Sequence, residues 1–205
     1  MQYDQPVSNE SIQSTVGELA KRNIEAVVVS DKAAALTMIK DLVPAGASVM
    51  NGSSTSLIEI GFVDYLKSGD HKWVNMHEPI IKESDPAKQA VLRQAATHSD
   101  YYLGSAQALT ESGELLIASN TGSQLPNIVF NSKNLILVLG AQKIVKSLDE
   151  AIARLKEHVV PLEDKTSLAA YGAPTSNNQM LIFQGNNPYM GRKVKVIIVK
   201  EALGY

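Results

Sequence analysis

The stretch His98–Val145, HSDYYLGSAQALTESGELLIASNTGSQLPNIVFNSKNLILVLGAQKIV, governs how the remainder of the chain is read. Tyr101 to Leu103, Leu115 to Ala118 and Leu135 to Leu139 are apolar runs bounded by Gly, Ser or Asn, too short for helices and suited to buried strands. In a parallel sheet, Gly104-Ser105, Ser119-Asn120 and Gly140-Ala141 fall together along one carboxyl edge, where open α/β sheets place their ligands.

The same alternation continues on both sides. Ser8 is a helix cap followed by Ile12, Val16, Leu19 and Ala20 at helical spacing as far as Arg22-Asn23. Ala26 to Val29 is a β-branched strand, Asp31 caps a helix through Leu42, and Pro44-Ala45-Gly46-Ala47 turns into a strand at Ser48 to Asn51. One helix is expected from the GSSTS segment through Leu66, then a short strand at Lys72 to Met76, an interruption at Pro79, and a helix opened by Ser84-Asp85-Pro86. Downstream, Ser147 and Glu150 form a capping-box pair opening a helix that Pro161 closes. Asp164 to Asn178 reads as a loop of about fifteen residues. Two final strands, Met180 to Gln184 and Lys193 to Lys200, are joined by GNNPYMGR and expected as an antiparallel edge. This order predicts a three-layer α/β fold, a mostly parallel sheet with helices on both faces, in a single domain over residues 1–205.

Composition removes several function classes. The formal net charge of -2 and pI near 6.1 give no basic footprint for nucleic acid. With no cysteine, the chain has no disulfide, no thiolate nucleophile and no cysteine-ligated iron–sulfur cluster. The opening MQYDQPVSNESIQ lacks the features of a signal peptide, and no apolar run approaches the roughly 20 residues of a membrane span. A cytoplasmic protein with no membrane partner is expected. The histidines His71, His77, His98 and His158 form no metal-ligand spacing, so no metal is expected, and no flavin or nicotinamide fingerprint is present.

Candidate site residues sit in the turns. Asn51, Gly52, Ser53, Ser54, Thr55 and Ser56 follow a strand and open a helix, a setting that receives a phosphate or carboxylate or simply caps the helix. Glu111, in the Thr110-Glu111-Ser112-Gly113 turn, is the candidate nucleophile or general base if it faces the cleft, and otherwise a solvated turn acid. Gly104 lies at the carboxyl edge. Asn120, Gly122, Ser123 and Gln124 make a second polar turn able to hydrogen-bond a ligand or cap the next helix. Lys143 reads either as a cleft cation or as a surface charge. The pocket expected from these turns takes a small carboxylate or a phosphate-bearing ligand.

Five segments in combination, AKRNIEAVVV (20–29), PAGASVMNGSSTSLIEIG (44–61), SDYYLGSAQALTESGELL (99–116), LILVLGAQKIVKSLDEAIARL (135–155) and GRKVKVIIVKEALGY (191–205), resemble the LUD (lactate-utilization) domain family. The resemblance implies a fold of the sugar-isomerase and coenzyme A-transferase-like superfamily and a bacterial lactate-oxidation context. It also implies iron–sulfur sister subunits as candidate partners, with no cofactor in the stand-alone domain, and leaves a homodimer open. Where many short LUD proteins carry Gly-Asn-Arg, this chain has Gly122-Ser123-Gln124, and the usual cysteine cluster is replaced by the cysteine-free segment Thr166 to Asn178. TESG is similar to the Glu-Asn-Gly turn of coenzyme A transferases, which marks Glu111 as the implied nucleophile, with Ser112 in place of the asparagine. Three functions stand open: a lactate-utilization component binding a carboxylate or sister subunits, an independent acyl or sugar-phosphate enzyme using Glu111, and a ligand-binding scaffold without chemistry.

Overall fold

Ser8, in extended conformation, accepts the Ser11 N–H and starts α1 (Asn9–Lys21). This computed structural model describes residues 3–205; Met1 and Gln2, the first residues of the expected domain and of the opening read for a signal peptide, lie outside the described residues. The chain continues through β1 (Glu25–Val29), α2 (Lys32–Leu42), β2 (Ser48–Asn51), α3 (Thr55–Glu59), α4 (Phe62–Ser68), β3 (Val74–Asn75), α5 (His77–Lys82) and α6 (Pro86–Ala95). The central stretch supplies β4 (Tyr101–Gly104), β5 (Ala108–Thr110), β6 (Leu115–Ser119), β7 (Asn134–Gly140) and β8 (Ile144–Val145). It is followed by α7 (Leu148–Arg154), α8 (Val160–Tyr171), β9 (Gln179–Phe183) and β10 (Lys193–Val199).

A six-stranded sheet runs in the order β1-β10-β7-β4-β2-β3, and each of these pairings is parallel. Its central strands are apolar on both faces, as parallel strands between two covering layers must be. Leu135, Leu137 and Leu139 of β7, with Val194, Val196 and Ile198 of β10, pack under α1 and a second sheet. Ile136, Val138, Ile197 and Val199 face the other way, against Ala35 and Ile39 of α2, Leu57 of α3, and Phe62 and Leu66 of α4. The second sheet, β8-β5-β6-β9, is four-stranded and is backed by Ala151 of α7 with Leu155 and Val159.

The structure departs from the sequence pattern at several points. Leu115 to Ser119 does not join the parallel sheet: the turn at Gly113, with φ 92°, reverses the chain after β5, and β6 pairs antiparallel with β5 and β9. Ser119-Asn120 therefore ends a strand of the second sheet and not one of the large sheet. Lys193–Val199 is not an antiparallel edge strand but lies parallel between β1 and β7, because residues 185–192 cross between sheets instead of closing a hairpin. The helix expected through Leu66 is divided at Gly61, whose φ of 78° ends α3 and starts α4. The strand expected at Lys72 to Met76 shortens to Val74–Asn75, its ladder with β2 covering only those residues. Pro79 interrupts nothing; it lies in the first turn of α5, where its missing N–H costs no intrahelical bond. Pro161 likewise begins α8 after a wide turn at Leu155–Val159, so Asp164 to Tyr171 is helical and the loop shrinks to 172–178.

Candidate functional site

The carboxyl ends of β2, β4, β7 and β10 bring four connections together. After Gly140 the chain makes one tight helical turn over Ala141–Lys143, which tucks the Lys143 side chain inward. Lys143 Nζ donates to Ser56 Oγ at 3.0 Å and to Ser105 Oγ at 3.3 Å. The two serine oxygens lie 3.2 Å apart. Above them runs the segment after β10: Gln142 Nε2 donates to Leu203 O at 3.0 Å and to Gly204 O at 3.3 Å, and Ser56 Oγ reaches Leu203 O at 3.4 Å. This roof fits closely. A Cβ at Gly204 would stand 2.6 Å from Ser56 Oγ and 3.3 Å from Lys143 Nζ, and one at Gly140 would stand 2.6 Å from Leu203 N.

Lys143 is 4% exposed and forms no ion pair with any carboxylate among the described residues. Burial pulls its pKa from 10.5 down to about 7; the Arg154 guanidinium adds to the effect and Glu59 opposes it. The amine is thus poised near neutrality, able to carry a charge when an anion compensates it and to act as a base when none does.

A second polar group lies at the other end of the 52–56 loop. Tyr102, 1% exposed, points its hydroxyl at the bare α-carbon of Gly52, in the space a side chain there would need, and no partner for that oxygen occurs among the described residues. Burial raises the Tyr102 pKa, so the phenol stays protonated. Gln124 Oε1 approaches the same face of Gly52, 3.2 Å from where a Cβ would stand, while its Nε2 donates to Ala118 O at 3.0 Å. Asn51 Oδ1 meets His77 Nδ1 at 3.3 Å. Burial, aided by Arg93 and Lys67, holds that imidazole below its ordinary pKa.

The sequence-derived candidates separate accordingly. Ser56 and Lys143 meet directly; Gly52 and Gln124 gather at the Tyr102 hydroxyl and Asn51 meets His77; Gly104 is buried at the end of β4, against the Tyr102 ring. Ser54 caps α3 by accepting the Leu57 N–H at 3.3 Å, and Thr55 begins that helix. With only five residues, α3 has little dipole to offer an anion. Ser53 is exposed. Gly122 and Ser123 lie in the turn after β6, where the Gly122 N–H donates to Ser119 Oγ and Ser123 bonds Thr121. Asn120 is held by Asn178. Glu111 stands past the far end of β5, where its N–H donates to Val145 O and its carboxylate accepts from Ser11 Oγ of α1 at 2.6 Å. Tyr102 and the Leu203–Gly204 roof were not among the candidates. A Ser directly after a buried strand, as at Ser105, was the one available signal for the remaining hydroxyl.

A model of the LUD domain matches residues 12–199. The chain belongs to the LUD domain family. This implies a role related to lactate utilization. Among solved structures, a crystallised DUF162 family protein from Deinococcus radiodurans aligns over 95% of this chain and 99% of its own, with a TM-score of 0.56 and 14% identity. At that identity the likeness of this LUD domain to its neighbour establishes the shared fold alone. No curated protein matches the chain. Among the described residues of the LUD domain there is no cluster of His, Asp or Glu able to hold a metal, and no helix is long and apolar enough to cross a membrane.

Proposed function

We propose that this LUD domain serves lactate oxidation by binding a small carboxylate, lactate or pyruvate, with the carboxylate on Lys143 Nζ and the Ser56 and Ser105 hydroxyls alongside. The observation that carries this reading is a buried amine without a carboxylate partner among the described residues, at the sheet edge where α/β folds receive ligands. A buried cation needs an anion close by to remain charged. Because the chain has no cysteine, cysteine-ligated iron–sulfur chemistry would come from sister proteins, which we infer to be its partners. The transferase alternative draws less support, since the Glu111 carboxylate is engaged by Ser11.

Isothermal titration at pH 8 in buffers of different ionisation enthalpy tests the reading. Lysine held near pKa 7 is mostly neutral there, so binding a carboxylate should draw close to one proton onto Lys143. Lactate or pyruvate binding with proton uptake, lost in Lys143→Met, is the expected result. Binding unchanged by Lys143→Met, or no binding of either acid, overturns it.

A further inference from the structure

The same cluster has a second chemical capacity that does not depend on carboxylate binding. Lys143 Nζ, Ser56 Oγ and Ser105 Oγ form a closed triangle with sides of 3.0, 3.3 and 3.2 Å. Serine is a weak nucleophile until a base within hydrogen-bond reach removes its proton, and a neutral, desolvated lysine is one of the side chains able to do so. The two serines are not equivalent. Ser56 is buried beneath Leu203 and lies nearer the amine, whereas Ser105, on the loop leaving β4, is only half-buried. We propose that Ser105, Ser56 and Lys143 constitute an acyl-transfer triad acting on short acyl esters, with Ser105 as nucleophile, Ser56 as proton relay and Lys143 as general base.

The steps balance with water as the only co-reactant. Ser105 Oγ attacks the ester carbonyl carbon while its proton passes to Ser56 Oγ, whose own proton moves to the lone pair of Lys143 Nζ. The new ammonium, 3.3 Å from Ser105 Oγ, stabilises the oxyanion of the tetrahedral intermediate. Collapse breaks the bond to the leaving alkoxide, which takes the proton back from Lys143 as an alcohol and leaves an acyl-serine. Water then gives a proton to Lys143 along the same relay, attacks the acyl carbon and releases the carboxylic acid, and Ser105 recovers its proton. An amine half neutral near pH 7 suits both the base and the acid step. Because a Cβ at Gly204 would stand 2.6 Å from Ser56 Oγ and 3.3 Å from Lys143 Nζ, the roof leaves little room over the triad, and the substrates proposed are therefore limited to short acyl groups.

The test uses the full chain with a fluorophosphonate probe across pH 6 to 9, read by intact mass and peptide mapping, in the absence of any carboxylate ligand. The expected result is one adduct on Ser105, formed about ten-fold faster at pH 9 than at pH 6 and levelling off above pH 8 as Lys143 becomes fully neutral. Hydrolysis of p-nitrophenyl acetate should follow the same profile and be lost in Ser105→Ala and Lys143→Met. No adduct, an adduct on another residue, or a rate that climbs with hydroxide without a plateau overturns the proposal. The wild-type profile alone decides it, even if a variant fails to fold. A negative result leaves carboxylate binding standing, because that property is read separately by titration.

Discussion

Replacing Lys143 by Met should change how the stability of this LUD domain depends on pH, in a direction set by burial. In the unfolded chain the amine keeps its proton up to about 10.5, whereas in the fold it releases it at about 7. Between those values the unfolded state holds more protons, so raising the pH favours folding. The burial penalty is present in full below pH 7, shrinks as pH rises, and is gone above 10.5. At 1.36 kcal/mol per pKa unit, the wild type should gain roughly 2–3 kcal/mol relative to Lys143→Met between pH 6 and pH 9. The hydrogen bonds to Ser56 and Ser105 are also lost in the variant. That loss is common to both pH values and largely cancels in the double difference, as do the histidines that both proteins share. Urea unfolding of both proteins at pH 6 and pH 9, with a common m-value, gives the number. Parallel pH profiles, differing by under about 0.5 kcal/mol, would refute the claim that this amine is desolvated.

Three further outcomes follow from the geometry around it. Gly52→Ala should destabilise by about 1–3 kcal/mol, because the new methyl and the Tyr102 hydroxyl need the same space; adding Tyr102→Phe should restore much of the loss, and strict additivity in urea unfolding would count against this contact. Gly204→Ala combines a φ of 61° with a Cβ 2.6 Å from Ser56 Oγ. It should cost about 1–3 kcal/mol and speed hydrogen exchange of the Leu203 segment, whereas unchanged exchange would mean that the roof is not closely seated. Glu111→Gln keeps an oxygen able to accept from Ser11, so its melting temperature should stay within about 2 °C and pyruvate titration should be unaltered; loss of pyruvate binding would return Glu111 to the site.

Legibility in the sequence tracked distance along the chain. Ser8, Asp31 and Ser147 were readable as caps because a cap is a contact within three residues, and each accepts an N–H from the first turn of its helix. The strands of the large sheet were readable because β4, β7 and β10 are apolar on both faces. Pro79 and Pro161 misled for a local reason: proline ends a helix when inside it and is harmless in the first turn, and the sequence does not say which turn it occupies.

The α/β class and the exclusion of thiolate chemistry can be read before any fold is known, since composition and strand periodicity are properties of the residues alone, and the LUD domain family is legible in the five segments that resemble it. Strand partners and the site cannot be read in this way, because long-range closure sets them. Leu115 to Ser119 and Lys193 to Val199 are both apolar runs, yet one joins the small antiparallel sheet and the other the centre of the parallel one. Pairing depends on what a strand meets once the chain has closed, and its own pattern does not record that. For Lys143 the same holds more strongly. Its sequence neighbours leave a surface charge and a cleft cation equally open. Ser56, Ser105 and Leu203, from 38 to 87 residues away along the chain, remove the water around it and so set its chemistry.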